Sequence, residues 1–355
     1  HYFMEVNTRI QVEHRVSELC YALRFTNPGD DSDSFDVHSV VEMMALLAKH
    51  KDRLPRPIRV QRYAAAVEAR LNATDDSLSP HAGGEIMSWS DPIEGEVRDD
   101  QGICFKNPDT DLFMRYKLAG AYDSNIALLV TTGEDRRSSY EHLREVMRRT
   151  VLRGPELQTN LQFHYGLVHW FLANGVDAKP TTQFVVPYLT LVGELLQETN
   201  QIDSDYAYDR LCGQYLQAVE SDPAAAKATT DLSVLKRTLL GRPLGRILRQ
   251  PHLLSAWLSS NKEHFEVNNG RVTWLRNPLL VLADTYHLLH MDADVDLPAA
   301  HKIWDQDDKL LKDGAAFYET VQERLGETSW PKLDERLKAK KAPKGFDADL
   351  WHRVR

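Results

Sequence analysis

Residues 1–18 read HYFMEVNTRIQVEHRVSE, and they constrain the chain more than any other stretch. If Phe3 to Glu13 is extended, alternate side chains fall on opposite faces. One face then holds Met4, Val6, Thr8, Ile10 and Val12. The other holds Glu5, Asn7, Arg9, Gln11 and Glu13. A half-exposed strand with a solvated polar face alternates in the same way. Such a face would favour Lys and Thr over Asn and Gln, which are poor strand formers. The polar row has a chemistry of its own. A carboxylate and an amide oxygen two residues apart can share a hard cation such as Mg²⁺. An arginine fork can hold a small planar anion. A second carboxylate beside that anion can take its proton.

The chain has 355 residues, 52 acidic and 43 basic, for a net charge of −9. That length suits about two to three domains. Hydrophobic residues make up 42%, enough for true cores and too much for disorder. The acidic balance argues against nucleic-acid binding, which needs basic stripes. No apolar run approaches the ~20 residues of a membrane span. Cys20, Cys104 and Cys212 form no CxxC, so neither a disulfide framework nor a zinc site is expected. That usage fits a cytoplasmic setting. The chain begins without Met, inside a strand-like pattern, and is expected to be part of a larger protein.

FMEVNTRIQVEHRVSE (Phe3–Glu18) resembles the biotin carboxylase signature of the ATP-grasp superfamily, F-[LIM]-E-[MV]-N-T-R-[LI]-Q-V-E-H-x-V-[TS]-E. Arg15 stands where proline is usual. The resemblance implies that Glu5 and Asn7 bind Mg²⁺ (or Mn²⁺) beside the ATP phosphates. It implies that Arg9, Gln11 and the Val12 backbone cradle bicarbonate, and that Glu13 is the base that deprotonates it. The anion would then attack ATP to give carboxyphosphate, and the CO₂ released would carboxylate N1′ of biotin on a carrier protein. The metal and guanidinium would offset charge on the transferring phosphoryl group.

RYAAAVEARLNA (Arg62–Ala73) resembles the start of the family's C-terminal domain, G-H-A-[IV]-E-x-R-[IL]-x-A-E. Arg70 matches the arginine that faces the ureido oxygen of biotin and stabilises its enolate. Ala65 and Thr74 replace the usual histidine and glutamate. SPHAGGEIMSWSDP (Ser79–Pro92) is similar to the family's L-P-S-x-G-x-I, with Gly83 and Gly84 giving turn freedom. LAGAYDSNIALLV (Leu118–Val130) resembles Y-D-x-M-[IL]-[AG]-K-[LV]; Tyr122 and Asp123 are retained, and Leu128 replaces the usual lysine. RGPELQTNLQF (Arg153–Phe163) fits the GxxTN segment. Helices are predicted over Asp135–Met147 and Leu161–Ala173.

Asn27–Asp36, NPGDDSDSFD, reads as an acidic inserted loop. Val37–His50 reads as a helix with Val40, Val41, Met44, Leu47 and Ala48 as core filler. Beyond Ile202 the resemblance stops and helices dominate. They are expected over 205–219, 232–248, 251–263, 277–290, 309–325 and 333–339, with a small N-N-G hairpin over 265–275. His287 and His290 share a helix face and read as packing rather than as a metal site. Trp257, Trp274 and Trp304 read as bulky anchors. Lys332–Arg355 holds eight basic and four acidic residues and reads as a solvated linker.

The expected fold is therefore α+β, in three parts. Residues 1–61 would end an ATP-grasp domain, 62–199 would form a biotin carboxylase C-terminal domain of mixed or antiparallel sheet with helices, and 200–355 a mainly helical linker or interaction domain. The function implied is the biotin carboxylase step of a biotin-dependent carboxylase, with an acyl-CoA acceptor. ATP, Mg²⁺, bicarbonate and carrier-borne biotin would be needed. Expected partners are a biotin carboxyl carrier domain, a carboxyltransferase, the rest of the ATP-grasp domain upstream of His1, and a second copy of the chain. A non-catalytic scaffold and a different ATP-grasp ligase are the alternatives.

Overall fold

The computed structural model describes residues 6–81, 83–99, 107, 109–112, 114–118, 124–179, 181–291 and 297–355. The chain forms two compact units, 1–181 and 182–355. It combines helices with small antiparallel sheets, as the α+β reading requires. Among the described residues no helix is long and apolar enough to cross a membrane.

The first unit opens with helix α1 (His14–Cys20), not with a strand. Residues 6–11 have no ladder partner among the described residues, and Val6 is 71% exposed. Alternation alone does not hold a strand; its backbone groups need partners. Phe3 to Glu5 lie outside the described residues.

Strands β1 (Tyr21–Asn27) and β2 (Asp30–Val37) follow, then α2 (Val40–His50) and β3 (Ile58–Gln61). They build an antiparallel sheet ordered β2-β1-β3. The acidic stretch is thus half of a hairpin rather than an inserted loop. Phe25 and Phe35 pair across it with rings 5.3 Å apart. Arg24 Nε and Nη2 donate to the two Asp36 oxygens at 2.7 and 2.8 Å. Such cross-strand pairs override the poor strand propensity of Asp and Ser. Ser39 caps α2, but Val41, Met44 and Leu47 are exposed, so the expected core stripe is not buried within this chain.

The larger part of this unit runs through β4 (Ala65–Asn72), β5 (Glu85–Ile86), β6 (Ser88–Trp89), β7 (Val97–Asp99), β8 (Tyr116–Lys117) and β9 (Asn125–Gly133). Helix α3 (Arg136–Arg149), strand β10 (Leu152–Arg153) and helix α4 (Leu161–Ala173) complete it. The central sheet is antiparallel, ordered β4-β9-β7. Ile126 to Val130 in the middle strand are fully buried. A strand covered on both faces needs a continuous apolar run, and IALLV is one. Thr131 Oγ1 donates to the Ser139 carbonyl at 2.8 Å, which sets α3 on the face shared by Ala127 and Leu129. Leu143, Val146 and Met147 of α3 and Leu161, Tyr165 and Phe171 of α4 belong to the same core. Gly84 has φ +86°, and a Cβ there would lie 2.6 Å from the Glu156 carbonyl oxygen. Only glycine meets both demands.

The second unit holds α5 (Val185–Thr199), α6 (Ser204–Ala218), α7 (Pro223–Ile247), α8 (Pro251–Asn261), the hairpin β11 (Phe265–Asn268) with β12 (Arg271–Trp274), α9 (Pro278–Leu289), α10 (Leu297–Leu325), α11 (Trp330–Leu337) and α12 (Ala348–Val354). Asn269 and Gly270 both take positive φ, as a tight two-residue hairpin demands. Trp257 Nε1 donates to Thr285 Oγ1 at 2.8 Å, and its ring stacks on Phe265, which meets Trp274 edge-on. The Trp304 side chain lies outside what is described. The basic tail is not a solvated linker. Phe346, Trp351 and Val354 join Val321, Leu333 and Leu337 in a buried cluster. Tyr318 Oη closes it by donating to the Val354 carbonyl at 2.6 Å.

Candidate active site

Register places three residues in one row across the central sheet. Arg70 on β4 pairs with Leu128 on β9, and Leu128 pairs with Asp99 on β7. Paired residues leave a sheet on the same side, so this face carries Arg70 and Asp99, with Glu68 one row along. Leu128, where a lysine is usual in the resembled motif, is fully buried between them.

Helix α1 lies over that face. Arg15 Nε donates to Asp99 Oδ2 at 2.8 Å, and Arg15 Nη1 donates to Glu18 Oε2 at 2.9 Å. Glu18 is 4% exposed and its carboxylate is fully used. Its Oε1 accepts from the Val40 amide at 2.6 Å and lies 3.8 Å from His14 Nε2. Arg62 Nη1 donates to the Glu18 carbonyl at 2.6 Å. A buried carboxylate must be compensated in this way. The network fixes α1 on the sheet, and with it Glu13, the residue just before the helix.

Glu13 is exposed, and its side chain makes no capping hydrogen bond to the helix. Both Glu13 and Arg70 act electrostatically on Glu68, so the two signature residues share a neighbour. Burial, reinforced by Glu13, pushes the Glu68 carboxyl up to about 7, and Arg70 opposes the shift. The sequence reading missed Glu68, although it stands two residues before Arg70 on a strand and hence on the same face. It also treated Arg15 as a change in turn stiffness, whereas its guanidinium bridges α1 to β7.

Arg70 is positioned from behind by the GxxTN segment. Asn160 Nδ2 donates to the Arg70 carbonyl at 3.0 Å, and Asn160 Oδ1 accepts from the Asn72 amide at 2.8 Å. The Asn160 amide donates to the Asn72 carbonyl at 3.1 Å. His164 Nε2 donates to the Arg70 carbonyl at 3.0 Å, and burial pushes this imidazole below its usual range. These bonds hold β4 where a bulge shifts the register after Leu71.

The other expected ligands are placed differently. Arg9 is exposed, with Nη1 on the Ile10 carbonyl at 3.3 Å. Gln11 and Val12 are half-buried, and the Gln11 carbonyl accepts from His14 Nδ1 at 2.9 Å. Asn7 is exposed, and its expected partner Glu5 lies outside the described residues, as do Tyr122 and Asp123. Among the described residues no group of three or more His, Cys, Asp or Glu could hold a metal ion. The described residues therefore do not by themselves make a Mg²⁺ site.

An α+β chain with these two signatures on one sheet face is similar in sequence to biotin carboxylases. The biotin carboxylase of Allochromatium vinosum is 28% identical over 176 residues, which is 50% of this chain and 34% of that protein. Biotin carboxylase 1 of Bacillus subtilis is 30% identical over 189 residues, 53% of this chain and 36% of that one. The mouse mitochondrial propionyl-CoA carboxylase alpha chain is 30% identical over 156 residues, 43% and 18%. The chain thus spans about a third of the length of the curated biotin carboxylases it matches. Among solved structures, the biotin carboxylase domain of Hydrogenobacter thermophilus 2-oxoglutarate carboxylase aligns at 22% identity and TM-score 0.38, over 53% of this chain and 35% of that one. No protein-family model matches the chain.

Proposed function

We propose that the chain forms part of a biotin carboxylase, the ATP- and bicarbonate-dependent ligase component of a biotin-dependent carboxylase. One observation carries this reading: Glu13 and Arg70, from separate signatures, act on the same buried neighbour, Glu68, on one face of the sheet. In this reading the exposed Glu13 carboxylate takes the proton of bicarbonate. Arg9, Gln11 and the Val12 backbone cradle that anion. Arg70 offers a fixed positive charge to the ureido oxygen of biotin. Biotin on a carrier would supply the nucleophilic nitrogen. ATP is the phosphoryl donor. Asn7 and Glu5 are assigned to Mg²⁺ from the resemblance alone, and no step is derived through the ion.

Residues 1–61 are assigned to the end of an ATP-grasp domain, 62–199 to the carboxylase C-terminal domain and 200–355 to a helical interaction domain. A carrier domain, a carboxyltransferase and a second copy of the chain are the proposed partners, in the cytoplasm. An acyl-CoA acceptor is favoured by the relative named propionyl-CoA carboxylase alpha chain. The test is carboxylation of free biotin by the full-length protein. Arg70→Gln is expected to lower it about 100-fold while leaving bicarbonate-dependent ATP cleavage largely in place. Equal loss of both activities would contradict the role given to Arg70.

A further inference from the structure

Glu68 takes no part in the chemistry just assigned, yet its setting is unusual for a carboxylate. It leaves the same face of β4 as Arg70. Its Oε2 is buried and has no hydrogen-bond partner. A buried carboxyl oxygen without a donor favours the protonated form. The charged groups facing it come from each element packed on this side. They are Glu13 and His14 from the start of α1, Arg70 from β4 and Asp99 from β7. Arg15 and Glu18 of α1 join the same network through Asp99.

We propose that Glu68 and Glu13 hold one proton between them, with Glu68 carrying it while Glu13 stays ionised as the base. Glu68 is then a positioning residue, acting through Glu13 and Arg70 rather than touching substrate. The inference rests on the biotin carboxylase reading of those two residues. Burial is the main cause that raises the Glu68 carboxyl to about 7, and the Glu13 charge is the next. Arg70 and His14 pull it down, and Asp99 pushes it up. Below that pH a neutral Glu68 adds no negative charge beside Arg70, which suits an anionic ligand. Above it the Glu68 carboxylate opposes both the anion and the ionisation of Glu13.

The direct test is a ¹³C carboxyl NMR titration of the whole chain labelled in glutamate, with the Glu68 signal identified by Glu68→Gln. Glu68 is expected to titrate near 7. Glu13→Gln should lower that midpoint by about one pH unit, and Arg70→Gln should raise it. A midpoint in the ordinary carboxylate range near ~4.3, or a raised one that ignores Glu13→Gln, overturns the proposal. The second readout is the pH profile of bicarbonate-dependent ATP cleavage by the full-length protein. Glu68→Gln should abolish the alkaline limb near neutrality, and Glu68→Asp should restore it. An unchanged profile overturns the proposal even where Glu13→Gln is inactive. Activity insensitive to Glu13→Gln, with the NMR coupling intact, instead overturns the enzymatic reading and leaves the shared proton.

Discussion

Asn160 shows how much one side chain can do for a site it does not enter. Its amide group bonds to the Arg70 carbonyl and the Asn72 amide, and its own backbone to the Asn72 carbonyl. Asn160→Ala should cost about 1–3 kcal/mol, since it strands buried backbone groups. Urea unfolding would measure the loss, and a change under ~0.5 kcal/mol would contradict the clamp. At this scale the sequence was most legible where chemistry and spacing coincide. Glu13 and Arg70 could be named from their motifs. Glu68, Asp99 and Glu18 could not, because their roles depend on strand register and on where α1 lands. Arg15 shows the same limit: only the structure reveals Asp99 within reach of its guanidinium.

Elements were legible when their period was strong. The helix over Leu161–Ala173 carries those bounds, and the N-N-G hairpin forms as turn chemistry dictates. Three elements went otherwise, each for a tertiary reason. Residues 6–11 have the pattern of a strand without a ladder partner among the described residues. The acidic stretch pairs because Phe35 and Asp36 find Phe25 and Arg24. The basic tail packs because Phe346, Trp351 and Val354 outweigh its charges in deciding burial. Trp351 is 1% exposed. Trp351→Ala should therefore cost about 3–5 kcal/mol. Hydrogen exchange of α10 to α12 would report it; unchanged protection of these helices would mean that the tail is not part of the core.

For the molecule as a whole, two compact units and an acidic balance say little about ligands. ATP and bicarbonate are anions, met by local cations such as Arg9 and Arg70 rather than by net charge. The acid stability of the first unit follows from its buried imidazoles. Burial, with Arg144 and Arg148 nearby, lowers His169 to about 3, and its Nε2 is buried without a hydrogen-bond partner. The unfolded chain binds a proton at His169 below ~6.5, whereas the folded one does so only near 3. The unfolded state thus holds more protons in that window, and stability falls as pH drops through it. The slope is up to ~1.4 kcal/mol per pH unit. His169→Phe should flatten this dependence in denaturant titrations between pH 6 and 4; an unaltered slope would show that His169 titrates normally in the fold.

The account turns on Glu13 and Arg70 belonging to one carboxylating site. Bicarbonate-dependent ATP cleavage by the full-length protein, compared between the natural sequence and Glu13→Gln, tests it most directly. The account predicts a loss of about 100-fold or more with the fold intact. Undiminished cleavage in Glu13→Gln would contradict it.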